Sequence, residues 1–450
     1  GLFRNIKWLA MVVLLTIYYG VPWIRWERGE GIPDQAVLAD FSSEKFYFFF
    51  IEIWPQDIHY LAGLLILASL GLFLVTSLLG RVWCGYTCPQ TVWTDLYIWV
   101  ERAFEGDRAA RMRLDKAPWT AGKAARKLGK HLVWIVIAFL TGGAFVLYWH
   151  DAPTVISGWF TGEAPLSAYW FAGILTLTTY FLAGWMREQV CTYMCPWPRI
   201  QGALTDEHAL NVTYRYDRGE PRGAKRKSEG WDTRGDCIDC NQCVQVCPMG
   251  IDIRDGEQLE CIHCALCIDA CDAIMEKMER PKGLIAYDTQ VAVAARNAGQ
   301  PAPKTRLIRP RTIIYAVLMA AIAALMVFGL STKATLELNV LKDRSPPFVR
   351  LSSGDIQNGY TLKLVNKQSG PRTLDLDVTG VTGLSFKVIG LEPGPDGCHA
   401  LPVAPHGVDR YRILVAAPEG RPQRQITFTL TDKTSGEIET NRASFRGPEQ

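Results

Sequence analysis

Five long apolar stretches, two matching cysteine clusters between the fourth and fifth of them, and a closing series of short alternating runs predict a multi-domain membrane protein. Its parts would be five transmembrane α-helices, a compact cysteine-rich domain and a C-terminal all-β sandwich. The chain has 450 residues, enough for two or three domains, and a net charge of +3 with 21% charged residues does not point to nucleic acid. Those averages conceal apolar runs alternating with basic polar stretches, the composition of a membrane protein with sizeable soluble parts.

A helix needs roughly 20 residues to cross hydrocarbon. Stretches of that kind lie near residues 6–24, 58–80, 132–149, 166–186 and 312–330. Lys and Arg are retained on the cytoplasmic side. The segment 81–130 holds ten of them and 187–311 holds eighteen, whereas 150–165 holds none. The first two segments are therefore read as cytoplasmic and the third as outside, with the amino terminus inside and everything after about Leu330 outside. Gly1 directly precedes an apolar run, so further residues are expected upstream, and no small-residue cleavage site follows to make that run a signal peptide. Residues 46–54 (FYFFFIEIW) are too short to span and rich in aromatics, which reads as an interfacial segment. Glu52, Asp57 and His59 then fall at the outer boundary of the second span, Asp57 as a helix cap and an ion or quinol site as the lesser reading. His150 and Asp151, at the outer end of the third span, read as interfacial.

The boundaries drawn are 1–213 for the membrane part with its first four spans, 214–236 for a basic linker and 237–280 for the cysteine domain. A second linker follows at 281–311, then the fifth span at 312–330 and the sandwich at 331–450. In the last of these, TLKLVNK from 361, TLDLDVTG from 373, LSFKVIG from 384, YRILVAAP from 411 and QITFTLTD from 425 alternate with period two between turn residues, the pattern of an antiparallel sandwich. No catalytic constellation is evident there, and the adjacent Cys398 and His399 read as an incidental loop pair.

Twelve of the thirteen cysteines fall in places expected to face the cytoplasm or its membrane boundary, where a reducing medium favours metal or redox work over disulfides. Cys237, Cys240, Cys243 and Cys247 follow C-x2-C-x2-C-x3-C-P, and Cys261, Cys264, Cys267 and Cys271 repeat the spacing with Asp272 in place of proline. This is the run of bacterial two-cluster ferredoxins, whose fourth cysteine serves the other motif's cluster. One [4Fe-4S] cluster would take Cys237, Cys240, Cys243 and Cys271, the second Cys261, Cys264, Cys267 and Cys247. Zinc is the alternative, but its motifs rarely carry a third cysteine at so short an interval. His263, inside the second motif, reads as a hydrogen-bonding or solvent-facing residue rather than a ligand.

A second pattern is C-x3-C-P, at Cys84 and Cys88 after the second span and at Cys191 and Cys195 after the fourth. In a continuous helix this spacing stacks two sulfurs on one face, with Pro89 or Pro196 as the stop. Two spans running the same way would set all four thiols at one depth. Soft thiolates suit Cu(I), zinc or an iron-sulfur cluster, and Met194 could add a thioether. A metal site, a redox dithiol pair and a third cluster stay open, and the duplication at matching depth disfavours mere packing cysteines.

The whole combination resembles a known family. Its signs are the two C-x3-C-P motifs, the duplicated ferredoxin run, PKGLIAYDT from Pro281 and the sandwich entered through VLKDRSPPFVRLSSGDIQNGYTLKLVNK from Val340. The chain is similar to the cytochrome c oxidase accessory proteins of the CcoG (FixG/RdxA) family along essentially its full length. The resemblance implies a polyferredoxin of the bacterial inner membrane that reduces Cu(II) to Cu(I) during assembly of a cbb-type oxidase. Cys84, Cys88, Cys191 and Cys195 would be its copper-handling residues, and its outer domain would be immunoglobulin-like. Implied partners are membrane lipid, a cytoplasmic or membrane electron donor, and oxidase subunits or copper chaperones, with homo-oligomerisation open. No nucleotide-binding fingerprint identifies the donor. A quinol-linked conduit near His59 and an assembly scaffold are the other readings.

Overall fold

The computed structural model describes every residue except 30–31, 225–230, 232–233, 369, 394–398, 419–423 and 448–450. It divides into two compact units, one of residues 1–27 with 32–327 and one built mainly from residue 328 onward. Among the described residues five helices are long and apolar enough to cross a membrane: Leu2–Trp23, Pro55–Leu79, Ala121–Val146, Leu166–Met186 and Pro310–Ser331. They match the five apolar stretches in number and place.

In the first unit, α1 (Leu2–Gly20) exposes Leu9, Val12, Val13 and Ile17 and buries Lys7. A buried ammonium needs a partner, and Asp95 supplies it at 3.6 Å while also meeting Arg4 at 3.0 Å. Next come β1 (Val37–Asp40), β2 (Lys45–Phe48) and β3 (Ile51–Ile53), an antiparallel sheet with Phe46 opposite Ile53. The aromatic run at 46–54, expected only as an interfacial segment, is therefore largely a β-hairpin, since aromatic and β-branched residues suit a pleated strand. Buried Gln35 secures the sheet, donating to the Leu147 carbonyl at 2.6 Å and accepting from the Ala152 amide at 3.0 Å.

Ahead of α2 (Ile58–Leu79), the buried Asp57 carboxylate accepts the Trp54 amide at 3.2 Å. Asp57 thus stands at the N-cap of α2, as expected, with its side chain closing the 3-10 turn that leads into the helix. The chain continues through α3 (Val82–Tyr86), α4 (Pro89–Glu105), α5 (Arg108–Lys116), α6 (Ala121–Val146), α7 (Ala152–Thr161) and α8 (Leu166–Thr179). Asp151 caps α7 through the Thr154 amide and pairs with Arg25 at 2.6 Å. Helix α8 runs on as π-turns over Tyr180–Met186 and Val190–Met194, broken near Arg187 at φ +42°. On α4 the Tyr97 hydroxyl donates to the Trp134 carbonyl of α6 at 2.9 Å, and the Trp134 indole returns a bond to the Tyr97 carbonyl at 3.1 Å. One turn on, buried Glu101 meets Arg187 at 3.1 Å and Lys130 at 3.4 Å. That tie fixes the break in the π-turns against α4.

The cysteine module lies among α9 (Trp197–Leu204), β4 (Asn211–Tyr214), α10 (Tyr216–Gly219), α11 (Gln242–Gln245), α12 (Leu266–Lys277), β5 (Ile285–Asp288) and α13 (Gln290–Asn297). Antiparallel β4 and β5 pair Asn211 with Asp288 and Tyr214 with Ile285, over a core of Val212, Ile253, Ile268, Met275 and Leu284. Residues 281–311, expected as a linker, thus hold a strand and a helix, because Leu284 and Ile285 are buried in the module's own core. Within the expected linker at 214–236 the described part includes α10, and residues 225–230 and 232–233 lie outside the described residues. The fifth long helix is α14 (Pro310–Ser331).

The second unit holds β6 (Leu336–Lys342), β7 (Val349–Arg350), β8 (Ile356–Asn366), β9 (Arg372–Thr379), β10 (Ser385–Val388), β11 (His399–Val403), β12 (Val408–Ala417), β13 (Arg424–Asp432) and β14 (Ile438–Phe445). One sheet has the order β10-β12-β8-β6 with β7 on β8, and the other β11-β9-β13-β14. Alternate residues Leu374, Leu376 and Val378 of β9 face inward against Leu362, Leu364, Ile413 and Phe428, as the period-two pattern requires. The Tyr360 hydroxyl donates to the Ser444 carbonyl at 2.9 Å, joining β8 of one sheet to β14 of the other. Cys398 lies outside the described residues; His399 is buried at the start of β11 with its ring against Phe386.

Candidate functional site

The two cysteine motifs of the module repeat a backbone shape as well as a spacing. Asp239 and Asn241 have φ of +54° and +56°, and the equivalent His263 and Ala265 have +52° and +59°. Left-handed residues on either side of the second cysteine turn each loop in the same way. Asn241 and Ala265 then start α11 and α12, which carry Cys243 in the first motif and Cys267 with Cys271 in the second. The thiols fall into two sets of four. Cys271 feels Cys243, Cys237 and Cys240, whereas Cys267 feels Cys264, Cys261 and Cys247 ahead of Cys243 of the other set. Each fourth cysteine therefore sits with the other motif's first three.

Burial pushes the Cys271 thiol up to about 12, neighbouring thiols adding to it, and Cys261 likewise to about 12. Left alone these thiols are neutral, and only a strongly positive centre would favour the thiolate. No three His, Cys, Asp or Glu side chains among the described residues converge closely enough for one ion. A zinc ion would draw its sulfurs to about 2.3 Å from a common point. A cube with one thiolate per iron spreads them wider, so nearly dry, all-sulfur sets of four fit [4Fe-4S] better.

The C-x3-C-P motifs are built differently from the expected continuous helix. Cys84 lies within α3, but Cys88 is extended (φ −59°, ψ 128°), and Cys195 is extended after the π-turn that holds Cys191. The cause is the following proline, whose ring disfavours the α conformation in the residue before it. The sulfurs do not stack along one helix. All four cysteines instead line one cavity of about 440 Å³, with Arg81, Met249 and Ile262 also in its wall. Met194 is 56% exposed and outside that lining, turned away by the π-turn, so its thioether does not join the set. Burial, then Cys88, pushes the Cys84 thiol up to about 12; burial and Cys88 push Cys191 to about 11. The Cys84 thiol donates to Oε1 of Gln201, a fully buried α9 residue whose Nε2 donates to Thr76 of α2 at 3.5 Å.

The four-cysteine cavity and the ferredoxin-type module meet directly. A β-carbon at Gly85 would lie 2.6 Å from the Ile262 carbonyl and 3.1 Å from Cys264, so only glycine allows the two loops to touch. At Gly80 (φ +57°) a β-carbon would be 2.5 Å from His263 Nδ1. The Arg81 amide donates to that Nδ1 at 2.9 Å, and its Nη1 to the Cys261 carbonyl at 3.2 Å. The Tyr86 hydroxyl donates to the Cys264 carbonyl at 3.0 Å and Tyr287 to the His263 carbonyl at 2.6 Å. Burial, then Arg81, holds the His263 ring down at about 4, so it is neutral and accepts. His263 is thus a hydrogen-bonding residue, whereas no sequence motif singles out Gly80, Arg81, Gly85 or Gln201. Arg81 did stand out in one respect: it is the single cation between the second apolar stretch and WCGYTCP.

Comparison with known proteins agrees with this architecture. Residues 186–290 match the family described as 4Fe-4S dicluster domain, residues 61–105 that described as 4Fe-4S binding domain, and residues 326–448 the IG-like fold at the C-terminal of FixG. The nitrogen fixation protein FixG of Rhizobium meliloti is 48% identical over 100% of this chain and 91% of its own. Protein RdxA of Cereibacter sphaeroides is 50% identical over 96% of this chain and 90% of its own, and protein RdxB of the same organism 47% over 95% and 90%. A crystal structure of a FixG-related protein from Vibrio parahaemolyticus covers 25% of this chain and 96% of its own at 23% identity, with a TM-score of 0.22. With full-length identity near one half, a dicluster domain and the FixG C-terminal domain, the chain belongs to the FixG/RdxA family of iron-sulfur electron-transfer proteins.

Proposed function

We propose that the chain is a cupric reductase of the bacterial inner membrane, taking electrons into its cytoplasmic dicluster module and delivering them to copper at Cys84, Cys88, Cys191 and Cys195. The observation that carries this reading is the seam at Gly85, where the loop of Cys84 lies against the loop of Cys261 and Cys264. Clusters bound by Cys237, Cys240, Cys243 and Cys271, and by Cys261, Cys264, Cys267 and Cys247, would supply one-electron storage and transfer. The chain's own residues do the rest. Binding Cu(II) displaces a proton from each thiol that ligates it; one electron then makes Cu(I), the ion that soft sulfur prefers. Gln201, accepting from the Cys84 thiol at 3.1 Å, holds that sulfur against α9.

Cation counts of ten and eighteen against none support a cytoplasmic module and an outer immunoglobulin-like domain. The product Cu(I) would serve assembly of a cbb-type oxidase, with oxidase subunits or copper chaperones as receivers and the outer domain as their contact. A second reading has its own support: the 61–105 match to a 4Fe-4S binding domain spans Cys84 and Cys88, and about 440 Å³ far exceeds the space of one ion. On that reading the cavity holds a third cluster. Iron analysis separates them, with about eight irons per chain for two clusters and about twelve for three. In the copper reading, Cys84→Ser with Cys191→Ser keeps about eight irons and loses Cu(I) formation; full-rate Cu(I) formation in that variant would refute it.

A further inference from the structure

Two buried arginines flank the module, and their surroundings differ. Arg254, 6% exposed, lies against Cys237 and Cys243 and is fully engaged. Its Nε donates to Asp252 at 2.8 Å, its Nη1 to Asp239 at 2.5 Å and its Nη2 to Asn241 at 2.5 Å. Two carboxylates outweigh its single charge. Arg81, 5% exposed, lies between Cys261 on one side and Cys84 and Cys191 on the other. Its Nη2 is buried without a hydrogen-bond partner, and among the described residues no carboxylate pairs with it. A guanidinium keeps its proton even when burial disfavours it. Lys7, the other cation near Cys264, is taken up by Asp95 at 3.6 Å.

We infer that Arg81 is a positioning residue that sets the direction of electron flow. Its charge, paired directly with no carboxylate among the described residues and acted on only by that of the exposed Glu260, makes the site of Cys247, Cys261, Cys264 and Cys267 the easier of the two to reduce. An added electron beside a buried cation that no carboxylate pairs directly is stabilised, and the same electron beside Arg254 with its two carboxylates is not. Net charge and hydrogen bonding are among the factors that set iron-sulfur potentials. An electron entering at Cys237, Cys240, Cys243 and Cys271 therefore settles at the site adjoining the four-cysteine cavity. The inference rests on the dicluster assignment and not on copper, so a chain that reduces no copper still tests it.

The test is an EPR-monitored redox titration of the full chain in detergent, which resolves two potentials. Arg81→Gln is expected to lower the higher potential by at least tenfold in the one-electron equilibrium constant, about 59 mV, and to leave the lower in place. Arg254→Gln is expected to leave the higher in place. Arg81→Lys keeps the charge without the fork and should stay within about threefold of the native value. Glu260→Gln removes an exposed carboxylate whose charge Arg81 feels, and should raise the higher potential. An unmoved higher potential in Arg81→Gln, a tenfold fall in Arg81→Lys, or no rise in Glu260→Gln would each overturn the assignment, the last two even if Arg81→Gln fails to assemble.

Discussion

Gly85→Ala is the sharpest single perturbation of the seam between the two cysteine centres. The new methyl carbon would stand 2.6 Å from the Ile262 carbonyl oxygen, where ordinary contact begins at 3.4 Å, so the loops must part by about 0.8 Å. Neither side yields easily. The Cys261–Cys264 backbone is fixed by Arg81 and Tyr86, and Cys84 by Gln201 and by Thr91, whose hydroxyl donates to the Cys84 carbonyl at 2.6 Å. Overpacking of this kind costs about 1–3 kcal/mol, which is about 5- to 150-fold in the docking equilibrium. Alanine gains about 1 kcal/mol of helix propensity in α3, but that stabilises the short helix without relieving the clash. The loss should therefore appear as local opening, not global unfolding. Amide exchange of residues 82–86 and 261–264 is expected to accelerate by that factor and Cu(I) formation to slow, with iron content unchanged. Native exchange and native rate together would refute the reasoning.

Three further outcomes follow from particular residues. Tyr86→Phe leaves the Cys264 carbonyl without its donor and should cost about 1 kcal/mol of local protection, read by the same exchange measurement. Pro89→Ala frees Cys88 to become helical and leave the cavity, so Cu(I) formation should fall on the order of a hundredfold, the scale of an ångström's misplacement, while iron content holds. Burial, then Arg446, lowers Lys342 in the sandwich to about 8 against 10.5. Between those values the unfolded chain binds more protons, so stability rises with pH across about 8 to 10.5. The melting temperature of the sandwich transition should climb from pH 8 to pH 10 in the native chain, and Lys342→Met should flatten that climb.

The parts of the site legible in the sequence were those written in short-range spacing. C-x2-C-x2-C-x3-C encodes a loop and the first turn of a helix, and its repetition announces two sets of thiols and a crossed fourth member. Apolar length alone located the five long helices, and period-two alternation located the strands of the sandwich. What stayed hidden depended on the chain meeting itself at long range. Arg81 and His263 are 182 residues apart, and nothing local to either marks the clamp they form. The extended Cys88 and Cys195 were open to inference, since proline restricts the residue before it, but the four-residue spacing suggested a helix more strongly. Met194 was misplaced for a related reason: a π-turn shifts which residues share a face, and no sequence pattern signals it. The hairpin at 46–54 and the strand near Ile285 were masked by composition, aromatic in one case and linker-like basic flanks in the other.

The central claim is that electrons leave the ferredoxin-type module for copper at the four-cysteine cavity. Its most direct test mixes anaerobically reduced, reductant-free protein with Cu(II) and a Cu(I)-specific chelator, following iron-sulfur absorbance and the Cu(I) complex together. The account predicts that Cu(I) forms in step with reoxidation of the clusters, one Cu(I) per electron withdrawn, and that Cys84→Ser halts both. Clusters that stay reduced beside untouched Cu(II), or Cu(I) formed at full rate by Cys84→Ser, would contradict it.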